Sequence, residues 1–393
     1  MAVETESPDP TTGVWKPGRL VFNGNMGAPL TFMQRVQPWL REARPDGHSP
    51  QVLMVTAAWA NGEYGEGAVR DALNQVGVTS DWQSGFDQRI RNLGVWHLQQ
   101  EYLEKRPAVA AVVAELANVQ EATRRFYVDK TAFHAQRIRQ AVQYAKSRLG
   151  DDFRLGALPE QPRDDLRPET TLDGTQLLAR ALARELTHDL ADLVGNDLRM
   201  MQVLAENEQT LAVRTGMRFD PLWQQLQRLL NERILWADAL FLPGGDPDAL
   251  LNALRFFDLK PALQETLRRG ATFFSISAGS LVLCERMIVY DNFSADPSRR
   301  EFRLWDQGLG LIGGLQILPH CMDRIQTDDG DNLAYLARRF STHLCVGLNE
   351  ESFLLVEPSR PAATAIGRHD GVYVFGPGGV KQRYDFGADV PLR

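Results

Sequence analysis

Ala271-Thr-Phe-Phe-Ser-Ile-Ser-Ala-Gly-Ser280 decides how this chain is read. The run is apolar up to Ile276 and too short for a buried helix, so it reads as a buried parallel strand. It stops abruptly at Ser277, and Ser280-Leu-Val-Leu-Cys-Glu285 then reads as the start of a helix. A serine on a strand-to-helix turn presents its hydroxyl above a sheet, the arrangement of a nucleophile elbow. Such a turn is sharp, so its neighbours must be small, and Ser275, Ala278, Gly279 and Ser280 all are. The helix that follows aims its first amides at the same place, where an oxyanion would need them.

Outward from this segment the chain keeps an α/β rhythm on both sides of a helical stretch. Residues 18–94 open with a strand at Arg19-Leu-Val-Phe-Asn23, a helix from Leu30 to Arg41, a strand at Gln51–Ala57 and a crossover helix from Gly65 to Val76. That is a βαβ opening, which implies a parallel sheet with right-handed connections. Residues 95–233 hold only five of the 32 glycines, and their apolar residues recur at helical spacing over Pro107–Tyr144 and Gln176–Leu211. They read as a helical insertion serving packing or self-association. Residues 234–393 resume the alternation with strands at Ala237–Leu242, Met287–Tyr290, Gly314–Leu318, Leu344–Glu357 and Thr364–Phe375. The last of these reads as a hairpin turning at His369-Asp-Gly371. Gly376-Pro-Gly-Gly379 follows a strand without a helix after it and reads as a turn rather than a phosphate loop.

Composition narrows the function classes. A hydrophobic fraction of 44% and a charged fraction of 24% are those of a globular domain. A net charge of -7 argues against nucleic-acid binding, which needs a concentrated basic surface. Cys284, Cys321 and Cys345 are odd in number and lack paired spacing, which suggests reduced thiols in a cytoplasm. Residues 1–17 are acidic and Pro-rich and read as a disordered lead-in, not a signal peptide. No apolar run is long enough to span a bilayer. Zinc-ligand spacing and a P-loop are both lacking, so no metal or cofactor is expected.

Chemistry-bearing residues recur at strand ends. His320 follows an apolar strand directly, 43 residues after Ser277, where a base at the top of a sheet would lie. His48, His97, His134 and His188 stand in loop or helix surroundings and read as surface or packing residues. Gly244-Gly245 ends another strand and lets a substrate approach the backbone amides, since no Cβ intervenes. A carboxylate that orients the imidazole could come from Glu350 or Glu351 after one strand, or Asp291 after another. Spacing does not choose among them.

Together these segments resemble the serine peptidase family of dipeptidase E and cyanophycinase. The likeness runs in order through Val55-Thr-Ala57, Leu242-Pro-Gly-Gly245, Ser277-Ala-Gly-Ser280, Gly308-Leu-Gly-Leu311 with Pro319-His320, Val346-Gly-Leu-Asn-Glu350 and Ala365-Ile-Gly367. The resemblance implies an α/β fold, a mostly parallel sheet flanked by helices in a class-I-glutamine-amidotransferase-like sandwich, here with a large helical insertion. It implies Ser277 as nucleophile, His320 as base, and Gly245 and Ala278 as oxyanion amides. Glu350 is the favoured orienting acid, with Asp291 second. Gly244, Asp246 and Arg324 are the implied substrate-binding residues. Where the family carries several arginines after its histidine for acidic substrate groups, Cys321–Asp329 carries Arg324 alone.

The expected activity is hydrolysis of a small or unusual peptide through an acyl-enzyme. The alternative is an inactive binding or regulatory protein on the same scaffold, using the helical insertion for partner contacts. The expected partner of the enzyme is a peptide or small-molecule substrate, with neither nucleic acid nor membrane involved.

Overall fold

The computed structural model describes residues 18–43, 49–78, 89–158, 172–290, 302–367 and 371–392. In chain order the elements begin with β1 (Arg19–Asn23), α1 (Pro29–Glu42), β2 (Val52–Met54), a 3-10 turn (Ala57–Gly62), α2 (Gly67–Gln75) and β3 (Ile90–Asn92). Four helices follow: α3 (Val95–Lys105), α4 (Pro107–Leu149), α5 (Gly174–Thr215) and α6 (Pro221–Trp236). The chain returns through β4 (Ala239–Leu242), α7 (Pro247–Phe256), α8 (Lys260–Arg268), β5 (Thr272–Ile276) and α9 (Ala278–Leu283). Next come β6 (Arg286–Tyr290), β7 (Phe302–Gln307), β8 (Leu315–Pro319), α10 (Cys321–Arg324), α11 (Gly330–Arg339), β9 (Leu344–Leu348) and β10 (Ser352–Val356). The last strands are β11 (Ala362–Gly367), β12 (Val372–Phe375), β13 (Lys381–Tyr384) and β14 (Asp389–Pro391).

Eight strands form the main sheet in the order β14-β11-β10-β1-β5-β4-β2-β3. From β1 to β3 every pairing is parallel, and the pairs β1–β10, β10–β11 and β11–β14 are antiparallel. The inner parallel strands are mostly apolar because helices cover both faces, and β4 and β5 are buried at every residue. The fold is therefore α/β with a mostly parallel sheet flanked by helices.

The expected strands form, but the pairing spreads them over three sheets and corrects one reading, the hairpin. Met287–Tyr290 leaves the main sheet and pairs only with β7. The strand that ends before His320 lies in a second sheet, ordered β13-β12-β9-β8. The stretch Thr364–Phe375 is not a hairpin: β11 pairs with β10 and β14 in the first sheet, while β12 pairs with β9 and β13 in the second. Both strands are half or wholly apolar, so either could serve either sheet, and long-range partners decide. The turn at His369 and Asp370 lies outside the described residues, as do residues 1–17. Gly376–Gly379 is the turn between β12 and β13.

The helical stretch is attached at both ends. Tyr102 of α3 and Trp223, Leu226, Leu230 and Ile234 of α6 share one core with β4 and β5. Between them α4 and α5 form an antiparallel hairpin, α4 alone being 43 residues and about 65 Å long. An Asp173–Gln176 capping box starts α5, and Asp220 with Pro221 starts α6. The hairpin buries Ile138, Leu186, Leu190 and Leu193 against α11 and the second sheet. Among the described residues no helix is long and apolar enough to cross a membrane. Cys284, Cys321 and Cys345 are buried and form no disulfide among the described residues.

Candidate active site

Because β1, β5, β4, β2 and β3 run parallel, their carboxyl ends share one edge, the usual place for a site in such a sheet. Ser277 stands there between β5 and α9 with φ 49° and ψ -108°. That conformation is rare outside glycine and costs about 1–3 kcal/mol. The packing that enforces it is dense. Its amide donates to the Asn23 carbonyl at 3.0 Å. The Ser280 hydroxyl donates to the carbonyls of Ser275 (2.9 Å) and Asn23 (3.1 Å). A Cβ on Gly279 would lie 2.1 Å from the Leu242 carbonyl oxygen, so the third residue of Ser-Ala-Gly-Ser must be glycine.

His320 reaches the same point from the second sheet. It follows β8 directly, in the left-handed region (φ 54°) at the start of α10, and its Nε2 lies 3.1 Å from Ser277 Oγ. With the proton on Nδ1, the serine hydroxyl donates to Nε2. Burial lowers the imidazole pKa below 6.5, and the Arg324 charge lowers it further against the opposing pull of Asp323. The ring is therefore neutral at neutral pH.

The turn after β4 lies over the serine. An ideal Cβ on Gly244 would stand 3.1 Å from Ser277 Cβ, and one on Gly245 would stand 2.6 Å from the Ala58 carbonyl oxygen. Trp59 Nε1 donates to the Gly244 carbonyl (2.8 Å), and the Asp246 amide donates to Ala58 (2.8 Å), which clamps the 3-10 turn to this loop. The amides of Gly245 and Ala278 have no acceptor among the described residues. Asp246 caps α7 through the amides of Asp248 and Ala249. Arg324 is exposed on α10 and acts on His320 through its charge.

The acids stand apart. Glu350 is exposed, its carboxylate packs against Gly27, and it makes no hydrogen bond to His320. Glu351 pairs with Arg35. Asp291 lies outside the described residues. Two contributors went unnoticed in the sequence. Asn23 is fully buried, and its side-chain amide donates to the carbonyls of Asn349, Glu350 and Ser352 while its own carbonyl holds the elbow. The only signal was a polar residue closing an apolar strand. Trp59 had no signal beyond being an aromatic residue after a strand.

Among the described residues no group of three or more His, Cys, Asp or Glu could hold a metal. A separate cavity of about 430 Å³ lies between α5, α11 and β12, away from Ser277 and His320.

The family model of peptidase family S51 matches residues 195–362, a span that carries Gly244, Gly245, Ser277, His320 and Glu350. This is the dipeptidase E family whose motifs the sequence resembles. No curated protein matches the chain. A solved structure described as a peptidase from an acI-B1 Actinobacterium is similar over 95% of this chain and 97% of that one, at 13% identity and a TM-score of 0.46.

Proposed function

We propose that this chain is a serine-type peptidase in which Ser277 is the nucleophile and His320 the general base. One conjunction carries the reading: a strained serine between strand and helix, with its hydroxyl 3.1 Å from a depressed-pKa imidazole. An ordinary helix start needs neither feature. The peptidase family match over the same residues supports it.

In the proposed reaction Ser277 Oγ bonds to the scissile carbonyl carbon as its proton passes to His320 Nε2. The carbonyl oxygen becomes an oxyanion and accepts hydrogen bonds from the amides of Gly245 and Ala278. Collapse breaks the C–N bond, and His320 returns the proton to the leaving amine. Water then attacks the acyl-enzyme with His320 again as base, releasing a carboxylic acid and free Ser277. At neutral pH the neutral imidazole has its Nε2 lone pair available to accept that proton. Of the two carboxylates proposed to orient it, Glu350 makes no hydrogen bond to His320 in this structure and would have to move to do so, and substitution of Glu350 and of Asp291 distinguishes them.

Labelling with a fluorophosphonate probe tests the proposal. The wild type is expected to label, and Ser277→Ala and His320→Ala to lose labelling. A folded wild type that does not label would overturn the peptidase reading in favour of a binding protein.

A further inference from the structure

We infer that Asn23 and Asn349 are a pair of positioning residues that hold Ser277 and His320 at reacting distance across the two sheets. This rests on the peptidase reading.

Ser277 follows a strand of the eight-stranded sheet and His320 a strand of the four-stranded one, and among the described residues no strand of one pairs with a strand of the other. Strand pairing therefore does not fix their 3.1 Å separation. The two asparagines stand in matching places. Asn23 closes β1 opposite Ile276, the residue before Ser277. Asn349 follows Leu348, which lies opposite Pro319, the residue before His320. Asn349 also begins the turn by which the chain leaves the second sheet at β9 and enters the main sheet at β10.

A continuous path of hydrogen bonds joins the two sides. The Ser277 amide donates to the Asn23 carbonyl (3.0 Å). The Asn23 side-chain amide donates across the sheets to the carbonyls of Asn349 (3.3 Å), Glu350 (3.0 Å) and Ser352 (2.9 Å). Asn349 Oδ1 accepts from the amide of Met322 (3.0 Å) and the thiol of Cys321 (3.5 Å). Those two residues open α10, for which His320 is the N-terminal cap residue, and the His320 side chain makes no capping bond. A cap residue's own side chain ordinarily satisfies such an amide. Asn349 does so in its place, which leaves the imidazole for Ser277. Backbone approach at the crossing is equally close: a Cβ on Gly24 would lie 2.2 Å from the Leu348 carbonyl oxygen.

The arrangement weakens the fold. Asn23 is fully buried and Asn349 is 6% exposed, and Asn23 Oδ1 and Asn349 Nδ2 have no hydrogen-bond partner among the described residues. An unmet buried polar atom is destabilising, and an apolar side chain of like size would avoid it. Positioning accounts for two such amides at this crossing; stability does not.

Two measurements on the full-length protein test this. In the first, the His320 pKa is followed by NMR of protein labelled at histidine Cε1, with His320→Gln assigning the resonance. Ser277→Ala should raise that pKa, because the hydroxyl that donates to Nε2 favours the neutral ring. In an Asn349→Leu background the same substitution should have no effect, since the contact is gone. An equal rise in both backgrounds, or no rise in either, overturns the inference. In the second, Asn23→Leu and Asn349→Leu should each slow fluorophosphonate labelling of Ser277 about 10²-fold, the effect of a misplacement near 1 Å. Asn349→Asp keeps the acceptor oxygen and should label about tenfold faster than Asn349→Leu. Leu190→Ala, in the helical hairpin, should lower the melting temperature yet leave labelling within about threefold. A loss of labelling that tracks melting temperature alike in all of these variants, or labelling of Asn349→Leu within about threefold of wild type, overturns the inference and leaves the peptidase reading intact. Circular dichroism checks the fold, and Asn349→Ala takes the place of Asn349→Leu should leucine prevent folding. A wild type that fails to label, with the effect of Ser277→Ala on His320 still dependent on Asn349, would leave the positioning pair standing and the peptidase reading refuted.

Discussion

Gly245→Ala should slow the reaction of Ser277 with a fluorophosphonate about 10²–10³-fold while leaving the protein folded. Gly245 has φ 145°, and a Cβ there would lie 2.6 Å from the Ala58 carbonyl oxygen. Ordinary contact begins near 3.4 Å, so the turn must shift by 3.4 - 2.6, or about 0.8 Å. The Ala58 oxygen cannot yield easily, because it holds the Asp246 amide at 2.8 Å. An oxyanion bond of about 2.8 Å lengthened by that amount is about 3.6 Å, beyond hydrogen-bond range. Loss of one such donor costs about 2.7–4 kcal/mol in the transition state, which is the stated rate factor. The strained φ adds about 1–3 kcal/mol of destabilisation, visible as a lower melting temperature. The assay compares second-order labelling constants of wild type and variant, with thermal melts alongside. A folded variant that labels within threefold of wild type would refute the assignment of the Gly245 amide to the oxyanion.

Three further outcomes are expected. Arg324→Ala removes the second cause depressing His320, so the acid limb of the labelling-rate profile should move to higher pH, yet stay below 6.5 because burial remains; a downward shift contradicts the electrostatic account. Glu350→Gln should change the labelling constant less than threefold, since no bond to His320 is lost, and Asp291→Asn measured beside it tests the other acid; a fall of about 10³-fold or more for Glu350→Gln would mean its carboxylate swings onto the imidazole during reaction. Asp197→Ala strands Arg339, which it binds at 2.7 and 2.8 Å in full burial, and should cost about 3–5 kcal/mol in denaturant unfolding, while Asp197→Leu with Arg339→Met should recover much of it.

What could be read in the chain beforehand was whatever local order encodes. The apolar run into Ser277, the small residues beside it and the strand before His320 are local, and each element formed within a few residues of its expected place. Sheet membership is not local. Nothing within Thr364–Phe375 says that β11 faces β10 while β12 faces β9, because apolar alternation suits both pairings. The hydrogen bond between Glu63 and His97 Nδ1 spans 34 residues and joins a loop to a helix start, with no periodicity to betray it. Asn23 and Trp59 act through hydrogen bonds to carbonyls, which carry no residue signature at all.

The place of β1 at the centre of the sheet has a consequence for how the protein is made. Its neighbours are β5 and β10, so Leu20, Val21 and Phe22 leave the ribosome long before anything can pair with them. Thr272 follows Asn23 by 249 positions. At about 5–20 residues per second that is about 12–50 seconds of synthesis with an apolar strand unpartnered. The nascent chain is exposed to aggregation over that interval and is a natural client for a holding chaperone. The same delay is a safeguard: the Asn23 carbonyl, Ser277 and His320 come together only after His320 has been made, so a chain interrupted before it lacks the proposed site.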